Sequence, residues 1–267
     1  MRAILLTSTF GRHVYVAHTL ATNCDLVGMW QEEKSFHPQR YARNAADEAV
    51  IQRHFDARDK SEARYFAKMF AALRPSATLR RVAAGSISNP DEVALMAALR
   101  PDVVLVFGTG LLREPLLSEF EGRMINIHLG LSPYYRGAGT NFWPLVNREP
   151  EYVGATIHYI DEGIDTGSII CHTRPTLERT DGPHDLGNKA IVAAAEALLR
   201  AAAAHVAGAA RAVPQSGGGR LYQRKDFNAD AVRTLYRNFE TGMLDEYLAN
   251  RRARDAAVQL IEPVRVA

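Results

Sequence analysis

Cysteine is scarce: Cys24 and Cys171 are the two in 267 residues, and neither sits in a metal-binding or redox spacing. A disulfide-built scaffold is excluded, and two thiols in a reducing cytosol are the simplest reading. Charge of one sign is not in excess. The 32 Lys and Arg face 30 Asp and Glu, a formal net of +2. A nucleic-acid binder needs a larger or more clustered basic surplus, so no nucleic-acid partner is expected. No apolar run approaches the roughly 18 residues of a membrane span. The run Ala3-Ile4-Leu5-Leu6 is too short for a signal peptide, and Arg12 and His13 follow it. A cytoplasmic protein without a membrane partner is therefore expected. Glycine is sparse at the first turn, where Thr7–Gly11 holds a single one. That disfavours a nicotinamide cofactor, whose pyrophosphate needs a glycine-rich turn. What is present is ordinary globular material, 47% hydrophobic and 23% charged, enough for a substantial core.

Periodicity predicts an α/β order. Residues 2–8 read as a buried strand, 14–21 as a helix and 25–30 as a second strand, the opening of a parallel sheet. Residues 32–41 read as a loop. Residues 45–73 are helical in composition and suggest two helices broken near Asp59, with Tyr65, Phe66, Met69 and Phe70 toward the core. Asn89-Pro90-Asp91-Glu92 is a helix start, with Asn89 as the cap. That helix ends before Pro101, and 102–107 is a continuous apolar strand of the kind buried on both faces. Gly108 to Leu112 follows at its carboxyl end, where ligands sit in open parallel sheets.

The chemistry concentrates between Met124 and Gly167. Asn126 and His128 alternate with Met124, Ile125, Ile127 and Leu129. In a strand, residues two apart share a face, so the amide and the imidazole project together. The turn-rich stretch Ser132-Pro133-Tyr134-Tyr135-Arg136-Gly137 follows, then a short helix within 140–146. Strands are expected at 153–160 and 168–173, antiparallel if their loop is tight. That loop, Asp161-Glu162-Gly163-Ile164-Asp165-Thr166-Gly167, is acidic and glycine-bearing. An amide donor, an imidazole and a carboxylate thus come from strand ends, a set suited to oxyanion stabilisation and proton transfer. His158 and His172 lie on neighbouring strands but lack a third ligand at metal spacing. Both read as structural or acceptor-lining, and no metal is expected.

N-x-H, then S-P-x-x-R-G, then D-x-G-x-D-x-G, with Asp165 39 positions after Asn126, resembles the signature of the 10-formyltetrahydrofolate-dependent formyltransferases. The resemblance covers residues 80–175 well and the rest loosely. It implies a Rossmann-like, mostly parallel sheet flanked by helices, and 10-formyltetrahydrofolate as co-substrate. It also implies that Asn126 and His128 donate to the oxyanion. Asp165 would hold or polarise His128, help order a water and accept the amine proton. The pterin would lie along Phe107, Gly108, Thr109, Gly110, Leu111 and Leu112. Pro133, Arg136 and Gly137 match the family's P-x-x-R-G loop, while Asp161 and Gly163 shape the loop opposite. The loop entry departs slightly, reading G-L-S-P where the family has S-L-L-P.

Three units are expected: a catalytic domain at 1–208, a linker at 209–219 and a mainly helical C-terminal appendage at 220–267. Helices are expected at 185–207, 229–238 and 243–248. The appendage is too small for its own core and must pack on the main domain or a twin subunit, so a homodimer is allowed. The acceptor follows by elimination among family members. The phosphate loop of the glycinamide ribonucleotide enzyme is absent at Thr7–Gly11. The appendage is smaller than the basic C-terminal domain of methionyl-tRNA formyltransferase. The extra regulatory domain of the folate hydrolase has no counterpart. A nucleotide-linked amino sugar remains, with an amino-acid-derived amine or hydroxylamine as runner-up. Tyr134, Tyr135, Phe142 and Trp143 supply aromatic faces for such an acceptor.

Overall fold

A computed structural model describes residues 1–34, 37–66, 77–215 and 217–262. Seven strands form the main sheet: β1 (Arg2–Thr7), β2 (Asp25–Glu32), β3 (Thr78–Val82), β4 (Val103–Phe107), β5 (Met124–Leu129), β7 (Ala155–Tyr159) and β8 (Ile169–Thr173). A three-residue β6 (Tyr135–Gly137) lies outside it. The spatial order is β3-β2-β1-β4-β5-β7-β8. Strands β1 to β5 run parallel, β7 is antiparallel to β5, and β8 is antiparallel to β7. The strand order reverses between β1 and β4, which leaves a crevice above their carboxyl ends.

Burial on both faces explains the continuous apolar strands. Leu5, Leu105 and Ile127 pack one way, against α1 (Gly11–Asn23) and α6 (Pro183–Val206). Ile4, Leu6 and Val104 pack the other way, with Met96 of α3 (Pro90–Ala98) and Leu116 of the short α4 (Leu116–Glu119). The alanines of α6, among them Ala190, Ala194, Ala197 and Ala201, are its buried stripe. Small side chains there let the helix approach the sheet closely.

Three local readings change. The helix from Ala45 (α2, Ala45–Phe66) continues through Asp59 without a break, because Asp59 is solvent-facing and interrupts nothing. Met69 and Phe70 lie outside the described residues. Strand β3 went unread: it is an edge strand, Thr-Leu-Arg-Arg-Val, whose exposed middle carries no apolar alternation. Asn89 occupies the cap position of α3, but its side chain makes no capping bond.

After α6 the chain returns to the sheet. Val213 and Ile169 exchange two backbone hydrogen bonds of 2.8 Å. Then β9 (Arg220–Tyr222) pairs in parallel with β6. The last helices are α7 (Ala229–Glu240), α8 (Met243–Ala249) and α9 (Arg251–Ala256). Leu235, Met243 and Tyr247 are buried with Leu145, Val153 and Leu186 of the preceding chain. Each aliphatic side chain so buried contributes about 1.5–3 kcal/mol. Asn238 fastens α7 further, donating to the carbonyls of Leu145 and Val146 at 2.9 Å each, at the end of α5 (Trp143–Val146). No described helix is long and apolar enough to cross a membrane.

Candidate active site

Strand β5 sends Asn126 and His128 to one face, as its period of two requires. The antiparallel register sets His158 of β7 opposite Asn126. Directly opposed residues share a face, so the second imidazole joins the first two groups. Asp165 comes from the β7–β8 loop. Its Oδ2 lies 3.2 Å from His128 Nδ1, and its Oδ1 lies 3.6 Å from His158 Nε2 and 3.5 Å from Asn126 Nδ2. By sequence pattern, His158 reads as structural or acceptor-lining. Nothing in the one-dimensional pattern shows the register that sets it against Asn126.

Hydrogen bonds assign the protons. His158 Nδ1 lies 2.7 Å from the Tyr159 carbonyl oxygen, which can only accept. His158 therefore carries its proton on Nδ1, and its Nε2 lone pair accepts from Asn126 Nδ2 at 3.0 Å. This fixes the amide with its nitrogen toward His158 and Asp165. His128 donates from Nδ1 to Asp165, and its buried Nε2 has no partner among the described residues. Of the two groups expected at the oxyanion, the imidazole is thus the one with a nitrogen still unpaired, a donor there once the ring is protonated. Burial alone would raise the Asp165 pKa. The bond from His128, with the Asn126 amide beside it, outweighs burial and holds the carboxyl well below the usual carboxylate range.

Asp165 has φ +53°, in the left-handed region. Asp161 shapes the rest of the loop, accepting from Gly163 N at 3.1 Å and Thr166 Oγ1 at 2.7 Å. A Cβ on Gly163 would come within 1.9 Å of Thr166 Oγ1, so a larger residue there would displace Thr166 from Asp161.

These groups open onto a cavity of about 850 Å³, within the range of small-molecule sites. Phe107 through Leu112 form one wall, and residues 160–165 form the facing one. Gly137 also lines it. Pro133 and Arg136 are not among its lining residues. Their loop turns toward the tail: Arg220 N donates to Tyr134 O at 2.8 Å, and Gly219 sits directly on the Pro133 carbonyl. Leu111 and Ile164, on the two facing walls, are 55% and 66% exposed. A flat apolar ligand would cover both.

Two residues hold the first wall that sequence reasoning did not single out. Glu32, 1% exposed at the end of β2, accepts from the backbone N–H groups of Gly110 and, at 2.6 Å, Gly85. Lys34 donates to the carbonyls of Gly108 and Thr109 at 2.5 and 2.9 Å. Both lie some 75 residues from the loop they grip, which is why no local signal exposed them. Gly108 has φ +72°, and a Cβ there would strike the His13 ring at 2.3 Å. Burial first, then the charges of Arg12 and Lys34, push His13 well below its usual pKa, so its ring is neutral.

A smaller hollow of about 150 Å³ adjoins the cavity through Ala138, Gly139 and Arg224. Its walls are Tyr41, Phe55, Trp143 and Phe227, with Gln223 at the edge. Among the described residues, no Asp, Glu, His and Cys side chains gather as a metal site would require.

A family model described as formyl transferase matches residues 32–202, and the chain belongs to that family. A methionyl-tRNA formyltransferase of Clostridioides difficile is 37% identical over 102 residues, covering 38% of this chain and 33% of that protein. The chain thus matches about a third of the length of this curated relative. Among solved structures, phosphoribosylglycinamide formyltransferase from Anaplasma phagocytophilum superposes with TM-score 0.55 at 15% identity, covering 84% of this chain and 98% of that one. WlaRD, a sugar 3N-formyltransferase solved in the presence of dTDP and 5-N-formyl-THF, superposes with TM-score 0.53 at 18% identity, covering 85% and 72%. These superpositions establish the formyltransferase fold, a mostly parallel sheet flanked by helices with further C-terminal helices.

Proposed function

We propose that this protein moves the formyl group of 10-formyltetrahydrofolate to the primary amine of a nucleotide-linked amino sugar. The observation that carries the reading is the meeting of Asn126, His128 and Asp165 on one cavity that continues into an aromatic hollow. The folate would lie between the Phe107–Leu112 wall and the Asp161–Asp165 loop, covering Leu111 and Ile164. The acceptor would enter from the hollow, its base against Trp143 and Phe227 and its phosphates near Arg224.

In the reaction, the acceptor nitrogen bonds to the formyl carbon, the bond from that carbon to the folate nitrogen breaks, and one proton passes from the amine to the folate nitrogen. Holding both reactants in one cavity supplies the entropic part of the acceleration. His128 Nε2, buried and unpartnered, faces the developing oxyanion as donor when its ring is protonated. Asp165, ionised before the reaction, stabilises that protonated ring and takes up the amine proton, directly or through a water, on its way to the folate nitrogen. Asn126, oriented by His158, donates to Asp165 from the other side.

The similarity to methionyl-tRNA formyltransferase favours a second acceptor, methionyl-tRNA. The experiment is a panel of amines supplied with 10-formyltetrahydrofolate: a nucleotide-linked amino sugar, N-hydroxyornithine, glycinamide ribonucleotide and methionyl-tRNA. Mass spectrometry should find one added formyl group on the nucleotide sugar. Formylation confined to the tRNA would replace the sugar reading, and no transfer to any amine would remove formyl transfer.

A further inference from the structure

The β7–β8 loop that carries Asp165 has little to hold it. Asp161 to Ile164 are exposed, and the two hydrogen bonds within the loop, from Gly163 N and Thr166 Oγ1, both end on Asp161 Oδ1. Asp165 itself takes a left-handed backbone, φ +53°, which a non-glycine residue keeps only where its surroundings impose it. Yet its carboxylate must meet His128 at 3.2 Å. Something outside the loop must supply the difference.

The segment after α6 does so. The paired bonds between Val213 and Ile169 bring it alongside β8. Two residues on, the Gln215 amide nitrogen donates to the backbone carbonyls of Asp165, at 2.7 Å, and Gly167, at 2.8 Å. One NH₂ group has two hydrogens, and both are used on two carbonyls of the same turn. A Cβ on Gly167 would strike the Tyr159 carbonyl at 1.8 Å, so this end of the loop is already pressed on β7. The added grip on Asp165 O fixes the residue whose side chain matters.

We propose that Gln215 is a positioning residue for Asp165, and through it for His128, in the formyl transfer set out above. Gln215 does not line the cavity and acts only through the backbone it clamps. Its place makes the segment between α6 and the C-terminal helices part of the reaction centre's support. A shift in that segment would reach Asp165 directly.

The test uses the full chain with Gln215→Leu and Gln215→Glu. The leucine keeps the bulk and removes both donors. The glutamate turns a carboxylate against two carbonyls and regains one donor when protonated. For Gln215→Leu, kcat should fall about tenfold to a hundredfold, as misplacement of a catalytic group does, while acceptor and folate KM stay within about twofold. The ratio of Gln215→Glu to wild-type activity should climb as pH falls from about 8 to about 5, because protonation restores an O–H donor. Independently of activity, the ring ¹⁵N resonances of His128 should move in both variants. Unmoved His128 resonances with kcat within about twofold of wild type overturn the proposal, as does a fall in kcat matched by equal KM changes. If Gln215→Leu fails to fold, Gln215→Glu decides alone. If no amine is formylated by the wild type, formyl transfer is lost as a reading and the resonances still decide what Gln215 holds.

Discussion

His158 stands across the β5–β7 pairing from Asn126, its Nε2 3.0 Å from the Asn126 amide nitrogen. Because its other nitrogen is spent on the Tyr159 carbonyl, His158 can only accept from Asn126. It thereby orients the amide, which in turn donates to Asp165 at 3.5 Å. We expect His158→Phe to lower kcat about tenfold to a hundredfold through lost orientation, with folate KM nearly unchanged. Steady-state kinetics with both substrates varied check this, and an unaltered kcat would leave His158 a spectator.

Substitution of Asn126, His128 or Asp165 by alanine should each cost turnover several orders of magnitude, about 10²–10⁴ for a lost proton-transfer group. The fold should survive, since these side chains fill a cavity wall rather than the core. Circular dichroism and formylation rates measured on the same samples test both halves. Near-normal turnover in His128→Ala would remove the mechanism.

Folate binding is expected between Phe107–Leu112 and Asp161–Asp165. Glu32→Ala would leave the Gly110 N–H without its partner, at a cost of about 1–3 kcal/mol where that group stays buried. Folate KM should rise more than acceptor KM. A structure with folate bound locates the ring, and a pterin seated instead at Thr7–Gly11 would contradict this placement.

The tail should govern the acceptor. Arg224→Ala and Phe227→Ala alter the aromatic hollow, so acceptor KM should rise about tenfold with folate KM unchanged, the pattern of lost ground-state binding. Truncation after Pro214 would uncover Leu145, Val153 and Leu186 and should lower solubility or change the oligomeric state. Size-exclusion chromatography reads the second effect. A truncated chain of unchanged mass, solubility and kinetics would show that the tail is dispensable.

Stability should fall in mild acid through His172. Its Nε2 donates to Ser132 O at 2.8 Å and its Nδ1 accepts from Ile261 N at 2.9 Å, so the bound ring is neutral. Burial pushes its pKa down to about 4. An unfolded histidine titrates near about 6.5, so between those values the unfolded chain binds more protons. The contribution is complete above the unfolded value and is lost as pH falls through this window, up to about 3 kcal/mol. His184, also lowered to about 4, and His54, lowered to about 3, act in the same direction. Melting temperatures from pH 7.5 to 4.5, an interval of about three units, should drop more steeply in wild type than in His172→Gln. Parallel curves would exclude His172 as the cause.

Local pattern carried much of this protein. A period of two put Asn126 and His128 on one face, and unbroken apolar runs marked β1 and β4 as strands buried on both sides. Asp161 and Gly163 already spelled the tight loop that presents Asp165. Those signals survive in one dimension because each arises between residues a few positions apart. Strand register, loop contacts and the course of the tail do not. Only the fold sets His158 on Asn126, Glu32 and Lys34 on the 108–112 loop, and Gln215 on Asp165. Only the fold turns Pro133 and Arg136 toward the tail strand and away from the cavity lining. Those contacts join residues 32 to 85 positions apart, where no periodicity reaches and where packing of the whole chain decides which groups meet.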